Sequence, residues 1–311
     1  MPDRTWRPWR AAWTEALYGE QGFYRRPEGP RGHFETSANA GGGGAELFAQ
    51  ALLTLARRHG CRQIVDLGAG RGELLQALLA RAGAGPGAGA IAGAETLRLV
   101  GVDVVARPST LPPEVGWLSS PGGAELPDEL ADLRQTLVIA HEWLDVVPCD
   151  VLEVDGDHAL RVVEVAVDGS ERLGAHASPE QQAWCARWWP LAGAPVGARA
   201  EVGLSRDAAW TGLLDRVRSG LVVAVDYGHV AADRPPLGTL AAHRDGHLVP
   251  PLADGSCDLT ADVAWDSLVA SRPSPAAPAM RQRRVTFDGP LPHWQPERVG
   301  DGGEVAAGGA A

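Results

Sequence analysis

The amino-acid sequence predicts an α/β fold with a doubly wound, mostly parallel sheet. Four continuous apolar runs support this prediction, because the strands of a parallel sheet are buried on both faces and read as unbroken apolar segments. Each run ends at or beside polar residues, which are Asp66, Asp103, His141 with Glu142, and Asp226. Polar groups at the carboxyl ends of parallel strands mark the crevice in which such sheets bind ligands.

Length and composition are those of a globular protein. The chain has 311 residues, of which 45% are hydrophobic and 22% charged, and this length is sufficient for one large or two ordinary domains. The net charge of −11 argues against nucleic acid or an anionic membrane as the main partner. It is compatible with a cationic ligand or substrate.

The cysteine pattern and the apolar runs indicate in which cellular compartment the protein is expected. Four cysteines lie far apart and form no C-x-x-C pair, so we predict neither a disulfide framework nor a zinc site and expect reduced thiols in the cytoplasm. No apolar run reaches about 18 residues, so no membrane-spanning helix is expected. The N-terminus lacks the apolar segment of a secretory signal.

The first strand, a glycine loop and a helix follow one another directly. The apolar run Ile64–Leu67 leads into three glycines at alternate positions, and the helical pattern Glu73–Leu79 comes next; the glycines are Gly68, Gly70 and Gly72. Glycine lets the backbone turn sharply and approach a ligand closely. The free N–H groups at the helix start provide a polar cradle for a nucleotide-like ligand.

The spacing of these glycines discriminates between ligand classes. The dinucleotide fingerprint is G-x-G-x-x-G or G-x-G-x-x-A, whereas this chain has G-x-G-x-G and carries Glu73 where the last small residue belongs. A pyrophosphate site is therefore disfavoured. The acid Asp66 before the glycines resembles motif I of S-adenosylmethionine-dependent methyltransferases instead. A glycine-rich turn in another kind of α/β protein is the alternative at this point.

The N-terminal segment predicts helices separated by loops. Residues 1–20 place four apolar side chains on one helix face, at spacings of three, four and four, which favours core packing: Trp6, Trp9, Trp13 and Leu17. We interpret Tyr18–Tyr24 and His33–Ser37 as loops that either line a pocket or are pinned by their aromatic residues. The flexible run Gly41–Gly44 precedes an amphipathic helix, Glu46–His59.

The other strands follow in order. Ala82–Gly93 is interpreted as an exposed low-complexity loop, and Leu97–Asp103 as the second strand. Asp103, the last residue of this strand, can accept hydrogen bonds from ribose hydroxyls. The alternative is that Asp103 is only a turn residue. Leu137–Ala140 and Leu221–Val225 are the remaining buried strands.

An insertion is predicted between the last two strands. Residues 151–173 alternate between apolar and polar positions around an Asp155–Asp157 turn, which is typical of a hairpin. A helix follows and carries three tryptophans that favour core or interface packing: Trp184, Trp188 and Trp189.

The C-terminal quarter is expected to be poor in regular structure. Residues 238–263 are interpreted as loop-rich, and no pair of residues there has a recognised metal-ligand spacing. Asp258 or Thr260 is a candidate cap for a following helix. We therefore predict an N-terminal segment 1–60, a main domain 61–270 with an insertion 151–205, and a largely disordered tail 271–311.

Several segments in this order resemble the MidA/NDUFAF7 family, the DUF185 methyltransferases. The resemblance covers roughly residues 15–268. The matching segments are Tyr18–Tyr24, Phe34–Ser37, Ile64–Gly72, His141–Pro148, Val225–His229, and Gly238–Leu240 through Asp258–Val263. The H-E-W-L-D-x-x-P and D-Y-G-H segments and the late C-D-L-T-A stretch are more specific than the glycine loop.

The resemblance implies a class I methyltransferase fold that binds S-adenosyl-L-methionine. The mitochondrial member of the family dimethylates an arginine on a complex I subunit and supports complex I assembly. The resemblance implies an arginine-bearing protein as substrate. From the net charge we expect no nucleic acid, from the lack of a ligand spacing no metal, and a homodimer is left open.

By position in the resemblance, two sets of residues are site candidates. The cofactor-binding candidates are Asp66, Gly68, Ala69, Gly70, Gly72, Asp103 and His141. The catalytic candidates are Glu142 and Asp145 as a clamp, supported by Asp226 and Tyr227. A carboxylate pair can orient a guanidinium bidentately, so that the protein's task is in-line positioning of the reacting groups. A capping and turn role for Glu142 and Asp145 is the alternative.

Three features depart from the family pattern. His141 stands where relatives usually carry asparagine, and Asp103 replaces the more common glutamate. No strand pair is evident after about residue 270, where such sheets normally close with an antiparallel hairpin, and an open edge would invite pairing with another chain. A non-catalytic assembly factor that keeps the fold is therefore one alternative function, and a nicotinamide-dependent oxidoreductase is another, disfavoured one.

Overall fold

The computed structural model describes residues 5–26, 44–84 and 97–271, which form fifteen strands and six α-helices. In chain order the strands are β1 (Arg7–Pro8), β2 (Gln63–Leu67), β3 (Arg98–Asp103), β4 (Gly116–Ser119), β5 (Thr136–His141), β6 (Asp150–Val154), β7 (Leu160–Val165), β8 (Glu171–His176), β9 (Arg199–Val202), β10 (Gly220–Val225), β11 (Gly228–His229), β12 (Ala241–Arg244), β13 (His247–Val249), β14 (Asp258–Thr260) and β15 (Val263–Ala264). The helices are α1 (Trp9–Tyr18), α2 (Gly44–Arg58), α3 (Glu73–Ala84), α4 (Pro179–Trp188), α5 (Leu204–Arg216) and α6 (Trp265–Ala270).

Five parallel strands form the central sheet, in the order β10-β5-β2-β3-β4. The chain runs outward from β2 through β3 to β4, then returns to the other side of β2 to add β5 and β10. The strand order therefore reverses between β2 and β5, and the carboxyl ends of these two strands flank the crevice of a doubly wound sheet. The predicted fold class is confirmed.

Helices cover both faces of this sheet. On one face α2 and α3 pack against Ile64 and Ile139, and on the other α5 and α6 pack against Val65 and Val138. All four of these strand side chains are fully buried. Burial on both faces explains why these strands read as continuous apolar runs rather than as alternating segments.

A second, antiparallel sheet contains the predicted hairpin. Strands β6 and β7 pair across the turn, and β1, β8 and β9 extend the sheet around them. Helix α1 packs on this sheet through Trp9, Trp13 and Leu17, as the helical spacing predicted. Trp6 precedes α1. Trp184 and Trp189 belong to another cluster on the same sheet, with Trp189 just beyond the end of α4.

Three local predictions were wrong. Ala82–Ala84 form the last residues of α3 rather than a loop, since alanine favours helix. Tyr18 ends α1 instead of starting a loop. Residues 241–260 hold a small antiparallel sheet in the order β13-β12-β14. Its turn is Asp245-Gly246, with φ of +53° and +77°, which is a common hairpin signal.

Asp258 and Thr260 also have a different role from the one predicted. Both lie in β14 and not at a helix start, and the next helix, α6, begins only at Trp265. Asp258 is instead buried, and its role is described below. The sequence pattern missed this because a three-residue strand is too short to show an alternation.

Some predictions fall outside the described residues. These are the segment Phe34–Ser37, residues 41–43 of the glycine run, residues 85–93 of the alanine-glycine loop, and the tail beyond residue 271. Within the described residues, no helix is long and apolar enough to cross a membrane. All four cysteines are buried as free thiols.

Candidate active site

The glycine loop after β2 is open on the side where a ligand would approach. Gly68, Gly70 and Gly72 have φ of +77°, +55° and +79°, a region that favours glycine. A Cβ added to Gly68 would meet nothing within 4 Å, and one added to Gly70 would meet only a Glu73 carboxylate oxygen at 3.6 Å. Gly72 differs, because its Cβ would approach the Leu111 side chain to 2.9 Å. Gly68 and Gly70 therefore face open space, whereas Gly72 is required for packing.

Ala69, the remaining predicted loop residue, contributes differently. Its side chain is buried in the core between the sheet and helices α2 and α3. Any contact between Ala69 and a ligand would therefore use its backbone.

Asp103, at the end of β3, is tied to this loop. Its Oδ2 accepts a hydrogen bond from the Gly70 N–H at 2.7 Å, and its Oδ1 accepts one from the Val105 N–H at 3.1 Å. Burial raises the pKa of Asp103 to about 6, although these backbone donors favour the charged form. A carboxylate has about four acceptor sites, so Asp103 retains acceptor capacity for hydroxyl groups.

Asp66 lies at the same edge and is almost completely buried, with 3% of its surface exposed. Burial, followed by repulsion from Asp103 and Glu73, raises the pKa of Asp66 to about 7. A nearby cation would favour its charged form. Asp66 and Asp103 thus place two acidic groups beside the open glycine loop.

His141 and Glu142 lie at the end of β5. Burial lowers the pKa of His141 to about 4, so the imidazole is neutral and offers one donor and one acceptor, as an amide side chain does. Its ring contacts Phe48 of α2 at 5.1 Å between centroids. Its Nε2 lies 3.4 Å from the Glu142 Oε1.

The Glu142 backbone is held in an unfavourable conformation. Its φ is +50°, which costs a non-glycine residue free energy, and such residues cluster at functional sites. Its N–H donates to the Val225 carbonyl at 2.8 Å. That hydrogen bond joins the ends of β5 and β10 and fixes the position of the Glu142 backbone, from which the side chain extends.

Asp226, after β10, holds the backbone of the loop that follows Glu142. Its Oδ2 accepts from the N–H groups of Leu144 and Asp145 at 2.8 and 3.2 Å, and its Oδ1 accepts from the Tyr227 N–H at 2.9 Å. Burial and the neighbouring Asp145 raise its pKa. The structure therefore gives Asp226 a supporting position, while the Tyr227 side chain is 62% exposed at the rim.

Asp145 is the most unusual group of the site. It is 5% exposed, yet its Oδ1 is buried without a hydrogen-bond partner among the described residues. Burial raises the pKa of Asp145, and the Arg206 guanidinium opposes that rise. Leaving a buried carboxylate oxygen without a donor is costly.

Sequence reasoning missed Asp258 and the roles of two tyrosines. The Tyr24 hydroxyl donates to the Asp258 Oδ1 at 2.7 Å, and the Tyr18 hydroxyl donates to the Val146 carbonyl at 2.9 Å. Asp258 is 2% exposed, and burial raises its pKa to about 8. Burial raises the pKa of Tyr18 most, and the charges of Asp258, Asp145 and Asp103 raise it further.

The predicted residues lie at or just after the carboxyl ends of the parallel strands, and together with Asp258 of β14 they form two groups. The glycine-loop group contains Asp66, Gly68, Gly70 and Asp103, and the acidic group contains His141, Glu142, Asp145, Asp226 and Asp258. Among the residues that the structure describes, no three His, Cys, Asp or Glu side chains are arranged to hold a metal ion.

Comparisons with known proteins bear on the family and the fold of this chain. A family model described as "Putative S-adenosyl-L-methionine-dependent methyltransferase" matches residues 45–272. A COG1565 superfamily member from Burkholderia thailandensis, crystallised with bound S-adenosyl-homocysteine, has a TM-score of 0.66 and 20% identity, covering 86% of this chain and 71% of its own. A native COG1565 superfamily protein from the same organism has a TM-score of 0.66 and 21% identity, covering 86% of this chain and 70% of its own. At these identities the structural likeness shows the fold. No curated protein matches the chain.

Proposed function

Because this chain belongs to a family of S-adenosyl-L-methionine-dependent methyltransferases, we propose that it transfers a methyl group to an arginine side chain of a protein. The family and the cofactor predicted from the sequence are confirmed. What we propose is the identity of the methyl acceptor, and this choice rests on the acidic group around Asp145.

The residues of the glycine-loop group fit this cofactor. The open space beside Gly68 and Gly70 lets the backbone approach a nucleoside closely. Asp103 has free acceptor capacity for ribose hydroxyls. Asp66 is a buried acid that a cationic amino-acid group would favour in its charged form. When bound, the cofactor supplies an activated methyl group on its sulfonium.

The affinity for S-adenosylhomocysteine is expected to increase with pH. If the ligand's ammonium group binds charged Asp66, whose pKa is about 7, the competent fraction rises about tenfold between pH 6 and pH 8, and the apparent affinity rises with it. Asp103, with a pKa of about 6, acts in the same direction. Calorimetric titration at several pH values measures this. Asp66→Asn should bind more weakly and with a flatter pH profile, and a flat wild-type profile would remove Asp66 from the cofactor site.

The unpartnered Oδ1 of Asp145 is the observation that carries the choice of acceptor. The buried Oδ1 of Asp145 has no hydrogen-bond donor among the described residues, and a charged N–H group of the methyl acceptor would supply the strongest one. A guanidinium offers planar paired donors, whereas an ammonium is a point charge. The net charge of −11 also favours a cationic acceptor.

Peptides with a single central arginine test the proposal. With S-adenosyl-L-methionine present, we expect methylated arginine by mass spectrometry, and no product from peptides with lysine or the isosteric, uncharged citrulline. Asp145→Asn should lower kcat/KM by about 30-fold or more, since loss of a buried charged pair costs about 2 kcal/mol or more. Methylation of the lysine peptide alone would overturn the choice of arginine.

A non-catalytic assembly role is the second candidate. In the described part of the chain, β10 pairs with β5 on one side and with no described strand on the other. Such an edge is a surface on which a partner strand can pair. Binding of S-adenosylhomocysteine without transfer to any protein acceptor would favour this role over catalysis.

A further inference from the structure

Arg206 is a buried cation whose place in the site was not evident from the sequence. It lies in the first turn of α5 and is 2% exposed, although arginine is almost never fully buried unless its charge is compensated. Its three nitrogens donate to backbone carbonyls: Nε to Val147 at 3.1 Å, Nη1 to Asp262 at 2.8 Å and Nη2 to Asp145 at 2.7 Å.

These hydrogen bonds join two loops at the mouth of the site. The first, residues 142–149, which we call the acceptor loop, carries Glu142 and Asp145 between β5 and β6. The second, residues 261–262, lies between β14 and β15. The planar guanidinium presents its donors in a fixed fork, so one side chain sets the spacing between both loops. The neighbouring Ser205 hydroxyl adds a bond to the Pro148 carbonyl at 2.6 Å.

The charge of Arg206 acts on the same region. It lowers the pKa of Asp145, Asp226 and Asp262 against the effect of burial. The Arg206 guanidinium donates its hydrogen bonds to carbonyl groups and is not committed to a single ion pair. Its positive charge therefore attracts several nearby carboxylates at once. Without this charge, the pKa values of Asp145, Asp226 and Asp262 would rise further.

We infer that Arg206 is a positioning residue for methyl transfer, which fixes the acceptor loop and supplies the buried positive charge that balances the acidic group. This inference rests on the proposed function, because it assigns Arg206 to the acceptor side of that site. The structure does not place it against the glycine loop.

Two substitutions separate the geometric and electrostatic roles. Arg206→Met removes both the fork and the charge, and Arg206→Lys keeps the charge without the fork. Arg216→Met is the matched control, because Arg216 ends the same helix and its Nη1 donates within it to the Gly212 carbonyl at 3.2 Å.

Hydrogen–deuterium exchange of the peptide covering residues 142–149 reports on the geometry. We expect about tenfold faster exchange in Arg206→Met and Arg206→Lys. Exchange in the peptide covering residues 63–72 and the affinity for S-adenosylhomocysteine should stay within about twofold of wild type. Arg216→Met should resemble wild type throughout. Unchanged exchange in the acceptor loop, or equal loosening of the glycine loop, would overturn the positioning role.

A pH titration of the Asp145 carboxyl-carbon signal, measured by NMR, reports on the charge of Arg206. The Asp145→Asn variant assigns that signal. The titration midpoint should rise in Arg206→Met and stay near the wild-type value in Arg206→Lys. The other ionisable groups that interact electrostatically with Asp145 stay in place in both variants; they are Asp226, Asp258, Asp262, Tyr18, Tyr24 and Tyr227. Glu142, which acts on Asp258 and Tyr227, also stays in place. An unchanged midpoint in Arg206→Met would overturn the electrostatic role.

The inference can fail independently of the proposed function. If Arg206→Met does not fold, Arg206→Lys still tests the fork through exchange, and Arg206→Gln, which keeps amide donors without the charge, tests the charge because the Asp145 midpoint should rise in it. Neither measurement uses a methyl acceptor. A protein that shows both effects and yet methylates no arginine peptide would overturn the proposed acceptor alone.

Discussion

Gly70→Val is expected to abolish binding of S-adenosylhomocysteine, with a loss of at least about 100-fold in affinity, or about 2.7 kcal/mol. Two effects combine. Valine is strongly disfavoured at the φ of +55° that Gly70 adopts, so the loop would shift and weaken the bond from its N–H to Asp103. The added methyl groups would also enter the open space beside the loop.

Gly60→Val is the matched control for this experiment. Gly60 has a φ of +65°, and an added Cβ there also meets nothing within 4 Å, so the substitution imposes similar backbone strain at a distance from the site. Calorimetry should show near-normal binding by a folded Gly60→Val protein and none by a folded Gly70→Val protein. Equal binding by the two variants would remove the glycine loop from the cofactor site.

The second large effect concerns stability. The free energy of unfolding of the ligand-free protein should fall by about 1–2 kcal/mol between pH 6.5 and pH 8, and Asp258→Asn should remove much of this fall. Folding raises the pKa of Asp258 from 3.8 to about 8. The folded state therefore holds a proton that the unfolded state has lost. The resulting stability is complete below pH 4 and disappears as the pH rises through 8.

In the chosen pH window an opposing effect is smaller than the predicted fall. His141 and His229 have pKa values lowered to about 4, so their contribution to stability is lost as the pH falls through 6.5 towards 4, and each still adds about 0.4 kcal/mol between pH 6.5 and pH 8. The buried acids dominate in this window, and Asp66, with a pKa of about 7, accounts for part of the fall. Asp254→Asn, an exposed position in the loop before β14, is the control. Chemical denaturation at each pH measures the effect, and an identical fall in Asp258→Asn would contradict it.

Local patterns were sufficient to predict the cofactor half of the site. The β2 strand, the glycine loop and α3 are contiguous, and each follows from apolar runs, glycines and helical spacing over about a dozen residues. The convergence of Asp66, Asp103 and Glu142 also followed, because parallel strands bring their carboxyl ends to one edge. The catalytic and cofactor-binding roles of individual residues remain predictions.

The acceptor half required long-range pairing that no local pattern encodes. Tyr24 and its partner Asp258 are 234 positions apart. Arg206 occupies a position in an amphipathic helix where an arginine would ordinarily be assigned to the surface. Short strands such as β14 were missed for the same reason, since their pairing with β12 and not their composition defines them.

The packing of α1 has a consequence for how the protein matures during synthesis. The Trp13 indole N–H donates to the Leu259 carbonyl, 246 positions along the chain, and Tyr24 meets its partner on the same strand, β14. Helix α1 is therefore translated long before its partner strand β14. Contacts so distant in sequence form late, and until β14 has been translated the tryptophan face of α1 is exposed apolar surface of the kind that chaperones cover. Strands β2, β3 and β5 are translated much earlier than β14, so pairing in the central sheet can begin before α1 is packed.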